Sequence, residues 1–115
     1  MASKSSQSCD LAAKSCVPCR GGIPPLTEEK IKPLLGQLSD WTVQQGHHLT
    51  KSYPFDDFAT ALSFVNRVGE VAEQEGHHPD VLLSWGKVRI DLFTHKIDGL
   101  SESDFILAAK CDQVR

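Results

Sequence analysis

Apolar residues along this chain alternate between helical and strand periods. From Thr27, the stretch TEEKIKPLLGQL sets Ile31, Leu34, Leu35 and Leu38 at helical spacing, behind an N-cap threonine and two acids. That pattern predicts a short first helix with a proline, Pro33, early in it. WTVQQ and LTKSY then alternate on either side of GHH, which predicts a hairpin of two short strands turning at Gly46. From Asp56 or Asp57 onward, Phe58, Ala61, Leu62, Val65, Val68, Gly69 and Ala72 form one stripe of a helix of about five turns. Gly76 stands where a helix stops, and Pro79 keeps it from resuming.

A second hairpin is predicted from VLLSW, Gly86 and KVRIDLFTH, with Val88, Ile90 and Leu92 on one face and Arg89, Asp91, Phe93 and His95 on the other. SESD, Ser101 to Asp104, reads as a capping box opening a last helix that carries Phe105, Ile106, Leu107 and Ala109. The order is helix, hairpin, long helix, hairpin, helix. It predicts an α+β fold: a four-stranded antiparallel sheet with helices packed on one face. The Gly and Pro pairs of CVPCRGGIPP deny regular structure, so residues 1–25 read as a flexible N-terminal arm and 26–115 as the folded domain.

Charge narrows the classes of function. With a net charge of -3 and both signs interspersed, the chain has no basic stripe to hold a phosphate backbone, so nucleic acid is not expected as a direct partner. No apolar run approaches the roughly 20 residues of a membrane span, and no secretion signal is visible. A cytoplasmic protein is expected; the Ser-rich start MASKSSQS keeps an organellar location after removal of a transit peptide as the alternative. Cys9, Cys16, Cys19 and Cys111 then default to reduced thiols, and the lone CVPC lacks the second pair that a zinc or redox motif needs.

Titratable groups gather in EGHHPD, Glu75 to Asp80. Pro79 pushes His78 into extended backbone, where neighbouring side chains diverge. Such a pair is poorly suited to two bonds on one metal and better suited to a pocket wall. His95 would supply a third imidazole if the last hairpin folds back beside the long helix, with Glu73 and Asp80 near the group. Imidazole, with an ordinary pKa of about 6.5, both gives and takes protons near neutrality. Two other readings stay open on the residues alone: histidines that stabilise or solvate a helix C-terminus, and metal ligands. His47 and His48, beside Gly46, read as solvated turn residues and are left outside the site. Trp41 and Trp85 read as core or sheet-face aromatics, either of which could also stack on a flat heterocycle.

The spacing carries further. Glu73, three residues, HHP at 77–79, five residues, Trp85, nine residues, His95, eight residues and Asp104 together resemble the signature of the pterin-4a-carbinolamine dehydratase family. The resemblance runs from about Thr27 to the C-terminus and includes DW opening the first strand, YPFDDFATALSFVNRV and THKIDGLSESD. Animal members commonly carry an aspartate directly before the histidine pair, where this chain has Gly76, so no carboxylate role is carried over there.

What the resemblance implies is a sheet backed by helices, assembled as a homodimer or homotetramer. It also implies a hydro-lyase that removes water from a 4a-hydroxytetrahydropterin during tetrahydropterin recycling. The pterin is the substrate, and the elimination needs neither cofactor nor metal. His77 and His95 would be the acid/base residues, and His78 would chiefly bind and orient the ring. Gly76, Pro79, Phe93, Thr94 and Lys96 would line the ring site, with Glu73, Asp80 and Trp41 in support. Asp104 would serve mainly as the capping-box acid. The competing class is a non-catalytic binding module, because relatives also act as a transcription-factor dimerisation partner or an enzyme-assembly factor.

Overall fold

The computed structural model describes residues 11–16 and 23–115. Cys9 and Cys19 of the predicted arm fall outside that range. Helix α1, Glu28–Leu35, starts from Thr27 in extended backbone and buries Ile31; Pro33 lies in its second half, not early in it. Strands β1, Thr42–Gln44, and β2, His48–Pro54, form the first hairpin. Its turn is carried by Gln45 and Gly46 at φ 56 and 65, and His47 N–H donates to the Gln44 carbonyl at 2.9 Å. His48 is therefore a strand residue paired with Gln44 and does not belong to the turn, as the sequence pattern had implied.

Helix α2, Phe58–Glu75, is capped by the Asp57 carboxylate, which accepts from Thr60 N–H at 2.8 Å. Strands β3, Asp80–Ser84, and β4, Lys87–Leu92, make the second hairpin; a 3₁₀ turn, His95–Ile97, and helix α3, Glu102–Gln113, complete the chain. The sheet is antiparallel throughout, in the order β1-β2-β4-β3. Leu49, Tyr53, Val88, Ile90 and Leu92 point to one face, and all are buried there. On the opposite face Thr50 Oγ1 donates to Asp91 Oδ1 across the β2–β4 pair at 2.6 Å. The helices cover the first face only.

Helix α2 is rotated from the predicted stripe. Its buried residues are Ala61, Phe64, Val68 and Ala72, whereas Phe58 and Leu62 are 44% and 41% exposed. The cause is Phe64, whose ring meets Tyr53 at 4.6 Å and Phe55 at 5.3 Å between centroids and so takes the sheet-facing position. Trp85, in the β3–β4 turn, is 69% exposed and belongs neither to the core nor to a sheet face.

Helix α3 is buried along most of its length because it has neighbours on several sides. Ser103 to Ala109 and Cys111 are all buried. One of those neighbours is the arm. Leu11 and Ala12 are part of the core, the Ala12 carbonyl accepts from Lys110 Nζ at 2.7 Å, and Lys14 pairs with Glu102 at 3.0 Å. Cys16 N–H donates to Glu75 Oε1 at 2.8 Å. The described part of the arm is thus anchored, because Leu11 finds an apolar seat that local patterning cannot reveal. At the far end of α3, Asp112 accepts from Trp41 Nε1 at 3.1 Å, Lys51 Nζ at 2.8 Å and Tyr53 Oη at 2.6 Å. Burial and that bond push the Tyr53 hydroxyl far above its ordinary pKa. Among the described residues no helix is long and apolar enough to cross a membrane.

The seating of Leu11, 1% exposed, makes a stability prediction. Leu11→Ala is expected to lower the unfolding free energy by about 2–5 kcal/mol, read from urea denaturation. A loss below about 0.5 kcal/mol, the scale of an ordinary surface change, would show the arm to be unanchored.

Candidate active site

Helix α2 stops at Glu75 because Gly76 enters the left-handed region at φ 65, with its N–H and that of His77 turned back onto the Ala72 carbonyl. Open space surrounds the place where a Cβ of residue 76 would stand, so backbone torsion, not crowding, is what favours glycine there. His77 to Pro79 then run without regular structure into β3. The two imidazoles part. His77 turns inward, with Nε2 2.5 Å from Asp104 Oδ1 and a side chain 15% exposed; His78 turns outward, with Nε2 2.5 Å from Glu73 Oε2 and most of its ring in solvent.

Asp104 is the centre of this arrangement. Its side chain has no solvent exposure, and three groups address it: His77 Nε2, Thr94 Oγ1 at 2.8 Å and Ser101 N–H at 2.9 Å. The last of these closes the capping box on α3. The cap reading of this residue was correct and incomplete, since one oxygen caps the helix while the other holds a histidine. A carboxylate can only accept, so Nε2 of His77 carries a hydrogen, and in the neutral ring Nδ1 keeps the lone pair. Asp104 therefore sets the tautomer of His77 as well as its position.

Strand β4 ends at Leu92, so His95 is not a strand residue. Thr94 N–H donates to the Gly99 carbonyl at 2.8 Å, closing a short loop whose 3₁₀ turn begins with His95. A Cβ on Gly99 would come within 2.6 Å of Pro25 Cβ, so only glycine allows the 23–26 segment to lie against this loop. Thr94 is buried and bonded to Asp104, which brings the residue before His95 onto the carboxylate that holds His77. His95 itself is exposed, its ring 4.2 Å from that of Phe93 at an interplanar angle of 30°.

Two histidines set aside on the turn reading stand here as well. His47 meets Phe93 at 4.5 Å between centroids, its Nε2 lies 2.8 Å from Asp98 Oδ1, and its Nδ1 lies 3.1 Å from that of His48. The closeness of His47 to Phe93 follows from the pairing of Leu49 with Leu92, a register between distant segments that no local signal announces.

The remaining predicted residues are dispersed. Lys96 lies in the 3₁₀ turn, Pro79 is half-buried, and Asp80 is exposed opposite Asp91. Trp41 is not brought to the histidines: it is a core residue held by Asp112, eight positions beyond Asp104 on α3. A cavity of about 640 Å³ lies at that same far end, lined by Lys51, Tyr53, Asp112 and Arg115 among others, and includes none of the histidines. The Cys16 thiol is pushed up to about 12, first by burial and then by the Glu75 charge, which leaves little thiolate near neutrality. Among the described residues no three His, Cys, Asp or Glu side chains converge as a metal ion would require.

The Asp104 bonds can be checked directly. At a pH where His77 is neutral, nitrogen-detected NMR of labelled protein is expected to show its hydrogen on Nε2. In Asp104→Asn, the amide oxygen can keep Thr94 and Ser101 while its NH₂ faces His77, so the hydrogen is expected to move to Nδ1. An unchanged tautomer would contradict the orientation argued above.

Comparison with known proteins agrees with the motif. The sequence model of the family described as Pterin 4 alpha carbinolamine dehydratase matches residues 24–114. A protein of Rubrobacter xylanophilus named "Putative pterin-4-alpha-carbinolamine dehydratase" is 55% identical over 105 residues, 91% of this chain and 98% of its own. One of the same name from Alkaliphilus metalliredigens is 57% identical over 105 residues, 90% of this chain and 95% of its own. Among solved structures, a transcriptional coactivator/pterin dehydratase from Brucella melitensis superposes with a TM-score of 0.74 at 32% identity, over 78% of this chain and 97% of that one. A pterin dehydratase-like protein identified as a RuBisCO assembly factor in the alpha-carboxysome shares the fold, at a TM-score of 0.57 and 23% identity over 65% of this chain and 88% of its own. With a family match across the whole sheet and helices α1 to α3, an α+β fold in common and the histidine signature intact, the chain belongs to the pterin-4a-carbinolamine dehydratase family.

Proposed function

We propose that this protein removes water from a 4a-hydroxytetrahydropterin to give the quinonoid dihydropterin. In that step the C4a–O bond breaks, the hydroxyl leaves as water after taking a proton, N5 loses its proton, and the C4a=N5 bond forms. No electrons are gained or lost, so the work is proton transfer and orientation. His77 and His95 are the acid/base pair; His78, outward and braced by Glu73, binds and orients the ring.

The observation that carries this reading is the buried Asp104 carboxylate, which bonds His77 and Thr94 at once. A purely solvated helix-end histidine has no use for a fully buried acceptor. An imidazole whose Nε2 is held by a carboxylate presents Nδ1 as a directed base, the arrangement by which acids orient catalytic histidines elsewhere.

A second reading has its own observation. Phe58, Leu62, Val81, Leu82 and Trp85 are all exposed on α2 and the β3–β4 hairpin, and the Phe55–Gly86 bond at 2.9 Å draws that turn to the start of α2. So much exposed apolar surface supports a protein contact, whether in a homodimer or homotetramer or with a partner of another kind. The two readings are compatible, because none of these residues is among those bonded to Asp104.

The deciding experiment generates the hydroxypterin in situ with an aromatic amino-acid hydroxylase and follows its ultraviolet decay. The intact protein is expected to accelerate the decay, and His77→Ala and His95→Ala are each expected to lose about 10²-fold or more of that acceleration. Decay at the unassisted rate with intact protein would overturn the dehydratase reading and leave the binding module.

A further inference from the structure

His95 is the exposed member of the proposed acid/base pair, and among the described residues no carboxylate holds it as Asp104 holds His77. What orders its ring is aromatic contact. Phe93, two positions earlier, lies 4.2 Å from it between centroids, tilted by 30°. Phe93 in turn meets His47 at 4.5 Å and 43°. His47 is held from its far side: Nε2 is 2.8 Å from Asp98 Oδ1, and Nδ1 is 3.1 Å from Nδ1 of His48. Asp98 ends the 3₁₀ turn that His95 begins, in left-handed backbone at φ 50, and its N–H bonds the His95 carbonyl at 3.2 Å. The β1–β2 hairpin turn and the 3₁₀ turn are therefore linked twice, once through the ring of Phe93 and once through the Asp98 carboxylate. Both links pass through His47.

We infer that His47 is a positioning residue for His95, acting through Phe93 and held in place by Asp98. The hydrogen-bond directions are consistent along the row. Asp98 only accepts, so His47 donates from Nε2; its Nδ1 then accepts, and His48 donates from its own Nδ1. These bonds assign the hydrogens of His47 and His48, so Phe93 rests against a ring that is itself held in place. Aromatic pairs attract beyond the area they bury, which favours one rotamer of the exposed His95 ring. An acid/base group must sit within hydrogen-bond reach of the proton it moves, and small misplacement costs rate more than binding. The inference rests on the dehydratase reading for its kinetic consequence alone; the ordering of the His95 ring is a property of the protein by itself.

Four variants separate ring contact from hydrogen bond. His47→Ala removes both, and His47→Phe keeps a ring against Phe93 while losing the bond. Asp98→Gly removes the carboxylate and suits φ 50, so loss there is not backbone strain, and Asp98→Asn keeps an acceptor in a residue that tolerates left-handed backbone. Two readouts are taken: the His95 ring-proton chemical shifts, and kcat and KM in the coupled decay assay.

The expected result for His47→Ala and Asp98→Gly is a move of the His95 shifts toward those of a solvent-exposed histidine. In the same variants kcat is expected to fall about tenfold, with KM changed less than about twofold. Asp98→Asn is expected to stay near the intact protein on both readouts, and His47→Phe to lie between. Unchanged His95 shifts in His47→Ala and Asp98→Gly would overturn the inference, as would a rise in KM with kcat intact, which would make His47 a binding residue. If His47→Ala fails to fold, the contrast of Asp98→Gly with Asp98→Asn decides the matter in the same way. An intact protein with no dehydratase activity would end the functional reading while the shift measurements still tested the positioning.

Discussion

A carboxylate with no contact with water needs donors from the protein, and the demand of Asp104 for them organises the structure around the histidines. Burying an unsatisfied charge costs several kcal/mol, so a fold that buries Asp104 must bring donors to it. They arrive from three places: the linker after α2 supplies His77, the loop after β4 supplies Thr94, and the start of α3 supplies Ser101 N–H. Helix capping, loop closure and imidazole orientation are thereby one event. Were any of the three segments to shift, the others would lose a bond to a group that cannot turn to solvent.

Around that centre the packing is arranged to keep α3 still. The sheet covers one side of the helix, and α2, α1 and the anchored arm cover others, which is why Ser103 to Ala109 are all buried. The arm meets the two helix ends that matter most for the site. Cys16 N–H bonds Glu75, two residues before His77, and the Cys16 thiol donates to the Ser103 carbonyl, one residue before Asp104. At the other end of α3, Asp112 collects Trp41, Lys51 and Tyr53 from the β1–β2 side. Two carboxylates on one helix thus fasten it to the sheet and loops at both ends.

The parts of this arrangement that depend on near neighbours were legible. The capping box at Ser101 to Asp104, the helix stop at Gly76, the alternation of Val88, Ile90 and Leu92, and the diverging pair before Pro79 are consequences of torsion and period within a few residues. What failed had a distant cause. The α2 stripe included Phe58 and Leu62 because spacing alone cannot know that Phe64 will find Tyr53 and Phe55. Trp85 looked like core material because it is large and apolar, and hairpin geometry puts it outside. Leu11 and Ala12 gave no local sign of joining the core, because their partners lie on distant segments.

For the site, the sequence by itself determined which titratable and aromatic side chains make up the family signature and in what order they come, since the spacing of Glu73, HHP, Trp85, His95 and Asp104 is a property of the chain alone. Only the tertiary structure decided what each of them touches. Asp104 joined His77 because α3 returns beside the end of α2, and His47 came to Phe93 because Leu49 pairs with Leu92 across more than forty residues of chain. Torsional preferences act within a turn or two, whereas the burial of a carboxylate and the register of a sheet are settled between segments that meet only when the chain has folded.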